Sequence, residues 1–288
     1  MNITSLIKRH ALAAYFILAY AISWGGIFIV IRPAGFSSGD LSMAQTLLVW
    51  IAILLGPSLS GLLLTWLTGG RAGLLTLRVR LGHWRVDRRW YATLLITPLL
   101  AGTILFVLSL ISPDFRPALV ANDDKLPLLV LFVALSFGAG VEEIGWTGFA
   151  TPNVRLRHSV LSTGLLIGAL WGGWHFLGDF VGSRSAYGAL FLPHFLAYWF
   201  VTLITLRLLM TWVYDHTESL FLAWLIHASY TAPLFVLTPP NASGAENFLF
   251  EALFASALLV VVVVIVAEGG LFVRPARPVV RPRGRAMS

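Results

Sequence analysis

Four ionisable side chains are predicted to lie deep within apolar stretches, where a charged group is costly and usually functional. They are Glu142 and Glu143 in Val-Glu-Glu-Ile-Gly-Trp, His175 in Trp-Gly-Gly-Trp-His-Phe, and His227 in Leu-Ile-His-Ala-Ser-Tyr. Adjacent carboxylates in an apolar medium repel each other, so a proton, a metal ion or a cationic partner must neutralise them. Two carboxylates and two imidazoles suit either a zinc ion or acid–base catalysis on water. We predict that all four converge in one site.

Each motif alone has a simpler interpretation. A single membrane histidine is as readily a hydrogen-bonded packing residue, and a glutamate pair could form the proton relay or cation site of a transporter. His194 lies beside Pro193 near a membrane interface, and we interpret it as structural. Arg207 is expected near the inner end of its span, where it can extend to the interface. The sequence therefore predicts no basic residue at the depth of the glutamates.

The composition indicates what must position these residues. Hydrophobic residues make up 58% of the 288 residues and charged residues only 11%. Soluble domains have about 25% charged residues. These values exclude a soluble enzyme, a disordered chain and a nucleic-acid binder, and they predict a lipid bilayer as the main partner. The absence of cysteine excludes disulfides and thiolate metal sites.

Eight apolar segments are long enough to cross a membrane. We place them at 12–31, 46–67, 90–112, 128–151, 160–180, 190–213, 219–237 and 248–272. Lipid cannot hydrogen-bond exposed backbone amides, so the segments should be helices. The predicted fold class is an all-α, polytopic integral membrane protein with about eight transmembrane helices.

Basic residues indicate the orientation of these spans. The N-terminus, the second and fourth loops and the C-terminal tail hold 15 of them, against four in the loops of the other side. Because cytoplasmic loops are enriched in Lys and Arg, both termini are predicted to be cytoplasmic. The excess of Arg (18) over Lys (2) suggests a GC-rich genome and hence a bacterial plasma membrane.

The chain is predicted to form a single transmembrane domain over residues 1–273, with a motif core at 127–237. Leucines and arginines interleave at about 71–89, which is typical of an amphipathic helix in the membrane interface. Residues 274–288 alternate Arg, Pro and small residues, and they are predicted to be a basic, disordered cytoplasmic tail.

The order of the three motifs resembles the CPBP family of intramembrane proteases. That family includes the type II CAAX prenyl endopeptidases and bacterial proteins called bacteriocin-processing or abortive-infection proteins. The resemblance covers about 46–237 and is densest at 141–231. It implies a helical bundle that hydrolyses a peptide bond of a membrane-associated peptide or protein substrate.

The resemblance also implies roles for individual residues. Glu142 would be the general base on a water molecule, and Glu143 a metal ligand or a support. His175 would hold the water or a metal, while His227 and Thr231 would stabilise the oxyanion. Both a zinc ion, held by the two glutamates and the two histidines, and a metal-free glutamate–histidine mechanism are compatible with these residue types.

The chain departs from the family pattern at three positions. Thr147 stands where the pattern has Arg, Trp171 where it has Phe, and Thr231 where it has Asn. The leading hypothesis is an intramembrane endopeptidase. A non-catalytic scaffold or immunity protein is the second hypothesis, because two polar motif residues are replaced. A transporter is the third.

Overall fold

The computed structural model describes residues 7–32 and 41–268, and these ranges contain helices and turns but no β-strand. The main helices are α1 (Ala11–Ile31), α2 (Met43–Leu81), α3 (Ile96–Ser109), α4 (Leu126–Gly145), α5 (Val160–Tyr187), α6 (Phe191–Ala197), α7 (Ile204–Thr217), α8 (Leu220–Leu237) and α9 (Gly244–Glu268). Shorter helical turns lie at Arg88–Tyr91, Ala92–Leu95, Pro113–Phe115, Ala118–Ala121, Trp146–Ala150, Thr151–Arg155, Gly188–Leu190 and Tyr198–Leu203. The predicted tail, 274–288, lies outside the described residues.

Seven helical stretches of the described chain are long and apolar enough to cross a membrane. The longest, Val160–Thr217, has 58 residues, whereas one span needs about 20. Gly188 divides this stretch, because its φ of 53° lies in the left-handed region that favours glycine. The two halves correspond to the predicted fifth and sixth spans. The all-α, polytopic membrane class is therefore confirmed.

Helix α2 extends well beyond the predicted second span. It continues to Leu81 and changes direction at Gly70, which has a φ of 59°. The part of the predicted interfacial helix up to Leu81 is thus helical, and Gly82 ends it. Residues 83–87 are not helical. That this second arm lies in the membrane interface stays a prediction.

Glycines let the helices around the glutamates approach closely. Helix α4 packs between α2 and α8, while α5 packs against α7. A Cβ atom on Gly145 of α4 would lie 2.1 Å from the carbonyl oxygen of Pro57 on α2. A Cβ atom on Gly172 of α5 would lie 1.8 Å from Cδ1 of Trp199. At both positions a side chain larger than glycine would therefore prevent the close approach.

Pro57 lies inside α2 and leaves a backbone carbonyl without its helical donor, because proline has no N–H. Ser23 of α1 donates its hydroxyl to that carbonyl, on Ile53, at 2.8 Å. The neighbouring Ser58 hydroxyl shares its hydrogen between the carbonyl of Leu54 in α2, at 2.6 Å, and the carbonyl of Val141 on α4, at 2.8 Å. The Gly-Pro-Ser segment at 56–58 therefore holds the backbone directly before Glu142.

A second proline inside a helix follows the same principle. Pro233 of α8 frees the carbonyl of Ser229, and the hydroxyl of Thr97 donates to it at 2.9 Å. In lipid an unpaired carbonyl costs several kcal/mol. Hydroxyls from neighbouring helices therefore make both intrahelical prolines tolerable.

Candidate active site

The two adjacent glutamates lie on the last turn of α4, directly before a π-helical segment, Trp146–Ala150. Glu142 is 6% exposed and Glu143 is fully buried. The hydroxyl of Thr151 donates to the carbonyl of Trp146 at 2.8 Å within the wider turn. Such π-turns are rare, and they occur frequently at functional sites.

The Glu143 carboxylate receives four hydrogen bonds. Arg207 binds it through both terminal nitrogens, at 2.8 Å from Nη1 to Oε2 and 3.0 Å from Nη2 to Oε1. Nδ1 of His227 donates to Oε1 at 2.9 Å, and the hydroxyl of Thr147 donates to Oε2. An ionised carboxylate has about four lone-pair positions. All the lone-pair positions of Glu143 are therefore occupied, and this carboxylate can act only as a fixed negative charge.

Arg207 corrects the prediction that no basic residue lies at the depth of the glutamates. It is fully buried and does not extend to the interface. Its Cζ atom lies 4.1 Å from the centroid of the Trp171 ring, within the range of a cation–π interaction. A π-helical segment, Tyr198–Leu203, precedes it. The interpretation as an interfacial arginine was wrong because a buried carboxylate compensates the charge.

A sequence signal for this arginine existed. Arg207 stands in the apolar run Leu-Ile-Thr-Leu-Arg-Leu-Leu-Met, and an intramembrane charge is a functional hypothesis by default. The sequence analysis assigned no cationic partner to the two glutamates. Pairing the unexplained arginine with the unneutralised glutamates would have predicted this contact.

Glu142 has a different environment from its neighbour. Its Oε2 atom accepts a hydrogen bond from the indole N–H of Trp171 at 3.2 Å. Within residues 7–32 and 41–268, no basic side chain forms an ion pair with it. Of the two carboxylates, Glu142 is therefore the one free to exchange a proton.

Trp171 brings the two histidines to the same place. The rings of His175 and His227 lie edge-on to it, with centroid distances of 5.1 and 5.0 Å. Nδ1 of His175 lies 2.9 Å from the Trp171 carbonyl, which can only accept, so this nitrogen carries the proton. The same argument applies to His227, whose Nδ1 faces the ionised Glu143. Each ring therefore keeps Nε2 for another partner.

The four proposed zinc ligands differ in how free they are to bind a metal ion. In the described part of the chain, no group of three or more His, Asp or Glu side chains is placed to hold a metal ion. The lone pairs of Glu143 are already occupied, and the Arg207 guanidinium beside it would repel a cation. Glu142, Glu143, His175 and His227 therefore do not fit a shared zinc ion as placed.

Two other residues from the sequence analysis, Thr231 and His194, are placed differently from each other. Thr231 is half-buried on α8, one helical turn beyond His227 and on the same face. His194 is buried but belongs to a separate group: it pairs with Glu251 of α9 and stacks on Tyr187 at a centroid distance of 3.8 Å. Its pairing within this separate group accords with the structural interpretation.

Comparison with known proteins gives a family match over the same region. Residues 124–232 match the family model described as type II CAAX prenyl endopeptidase Rce1-like. The "CAAX prenyl protease 2" of Methanococcus maripaludis is 28% identical over 108 residues, which are 37% of this chain and 39% of that protein. The chain thus matches well under half the length of this curated relative. The matched segment contains both glutamates, both histidines and Arg207, so over this segment the chain is similar to the CPBP-type proteases that its motifs indicate.

Proposed function

We propose that this protein is an intramembrane endopeptidase that hydrolyses a peptide bond with Glu142 as general base. The observation that carries the proposal is the contrast between two buried carboxylates on one helical turn. Glu143 is fixed by Arg207 and His227, whereas among residues 7–32 and 41–268 Glu142 accepts its side-chain hydrogen bond from an indole N–H and pairs with no basic side chain. Environments that separate two titratable groups in this way are typical of acid–base catalysis.

In the proposed reaction, Glu142 takes a proton from a water molecule as the water oxygen attacks the substrate carbonyl. The lone pair on Nε2 of His175 accepts the second water hydrogen and orients the attack. Glu142 then transfers its proton to the leaving nitrogen as the C–N bond breaks. A general base of this kind contributes about 10²–10⁴-fold to the rate.

His227 would stabilise the negative charge that develops on the carbonyl oxygen. A protonated His227 donates through Nε2 to the oxyanion while Nδ1 stays bound to Glu143. With Arg207, it would also bring the formal charge of the two carboxylates to zero. Thr231, one turn further along α8, could add a hydroxyl donor to the same oxyanion.

The substrate class is part of the proposal. The family match and the named relative support a membrane-associated peptide. A C-terminal CAAX sequence with a prenylated cysteine is one chemical form of such a substrate. The unmodified juxtamembrane segment of another protein is the alternative.

Cleavage by the purified protein in liposomes tests the proposal. The panel holds a fluorogenic peptide ending in a prenylated CAAX sequence and an unmodified transmembrane peptide. We expect wild type to cleave at least one, Glu142→Gln to cleave neither, and Glu246→Gln, at the start of α9, to match wild type. Metal analysis and chelation accompany each assay. Turnover that does not depend on Glu142 would refute the mechanism. If chelation abolished cleavage and added zinc restored it, a zinc-dependent mechanism would replace the direct activation of water by Glu142.

A further inference from the structure

We propose that Arg207 is the positioning residue for Glu143, and that it supplies from α7 the guanidinium that the family pattern places on α4 at position 147. The inference rests on the proposed function. Arg207 touches Glu143, Thr147 and Trp171, and its positioning role requires no contact with the substrate. It acts through the carboxylate that orients His227.

The first support is the space around position 147. Thr147 is 2% exposed, and its hydroxyl lies 3.2 Å from Nη1 of Arg207. The guanidinium therefore occupies the volume into which a longer side chain at 147 would extend. Threonine leaves that volume free, and its hydroxyl still donates to Glu143.

The second support is the close approach of α7 to α5. A Cβ atom on Gly168 of α5 would lie 2.9 Å from Cα of Ile204 and 3.3 Å from Cβ of Arg207. A larger residue at 168 would push α7 away from the site. The glycine therefore allows α7 to pack closely on α5, in the position from which Arg207 reaches the Glu143 carboxylate on α4.

The third support is the aromatic residue at 171, where the family pattern has Phe. The Trp171 ring forms the cation–π contact with Arg207, and tryptophan is the best ring for such a contact. Its indole N–H also donates to Glu142, which phenylalanine could not do. Thr147, Trp171 and Arg207 are therefore linked. Thr147 leaves space for the guanidinium of Arg207, and Trp171 binds that guanidinium through its ring.

An exchange of the two positions tests the inference. Arg207→Thr should lower kcat about a hundredfold, the loss expected when a catalytic group is displaced by about 1 Å. Thr147→Arg alone should also lower kcat, because it places a second guanidinium against the first. The double variant Thr147→Arg/Arg207→Thr should recover to within about tenfold of wild type, with KM near the wild-type value throughout.

Arg207→Lys distinguishes positioning from simple stabilisation. The ammonium keeps the charge but not the two-point geometry, so the thermal midpoint should stay near wild type while kcat falls at least about tenfold. Wild-type kcat in this variant would overturn the inference. So would a double variant that is no more active and no more heat-stable than Arg207→Thr.

Thermal unfolding in detergent separates this inference from the proposed function. If wild type cleaves no peptide, the function fails, but the exchange can still be scored by stability. In that case the double variant must unfold at a higher temperature than both single variants. If the losses of thermal stability in the two single variants simply added in the double variant, Arg207 would not be the replacement for an arginine at position 147.

Discussion

Replacing each glutamate of the pair by glutamine should separate stability from activity. Glu143→Gln removes the negative charge opposite a fully buried arginine while keeping the shape of the side chain. Breaking a buried ion pair in this way costs about 3–5 kcal/mol, because one charge is left uncompensated. Glu142→Gln keeps an acceptor oxygen for the Trp171 N–H, so its cost in unfolding free energy should stay below about 1 kcal/mol.

Glu142→Gln should have its large effect on cleavage and only a small effect on stability. A glutamine cannot take a proton from water, so kcat should fall by about 10²–10⁴-fold in a variant that remains folded. The two substitutions are matched in chemistry and adjacent in sequence, and each is the control for the other. The assays are thermal unfolding in detergent and peptide cleavage in liposomes. Equal destabilisation by both variants, or an active Glu142→Gln, would refute the division of roles.

Three further predictions concern the scaffold and the topology. Ser23→Ala should lower the free energy of unfolding by about 1–3 kcal/mol, and by much less when combined with Pro57→Ala, whose restored N–H supplies the missing donor; thermal unfolding of the four forms checks this non-additivity. Gly145→Ala should destabilise by about 3 kcal/mol or more, because its Cβ atom would meet a backbone oxygen, whereas Gly102→Ala on α3, with open space around it, should fold normally in the same assay. Reporter fusions after Arg89 and at the C-terminus should both be cytoplasmic, and an external C-terminus would contradict an even number of spans with a cytoplasmic N-terminus.

The sequence predicted the helical membrane fold because a membrane span is recognised from the composition of about 20 consecutive residues. That composition does not depend on tertiary contacts. Helix ends were less predictable. Helix α2 continues to Leu81 through a change of direction at Gly70, since a polar, arginine-rich segment can still be helical. The boundary between fifth and sixth spans was predicted near 180–190, and the structure places the break at Gly188.

At the candidate site, the sequence identified side chains that are unusual in their own segments. It could not show how the two glutamates differ, because that depends on which of them faces α7 and which faces α5. Arg207 was assigned to the interface from its position in a span, and only the packing of α5 against α7 shows that it is buried. Departures from a family motif are therefore better interpreted together than one at a time.

The hydroxyl groups that bind the carbonyls freed by the two intrahelical prolines have a consequence for how the bundle is made. Ser23 precedes Pro57 in the chain, and Thr97 precedes Pro233. In each case the helix that carries the donor is synthesised before the helix that carries the unpaired carbonyl. A newly made proline-containing helix therefore finds its donor already in the bilayer, and its unpaired carbonyl need not persist in lipid while later helices emerge from the ribosome.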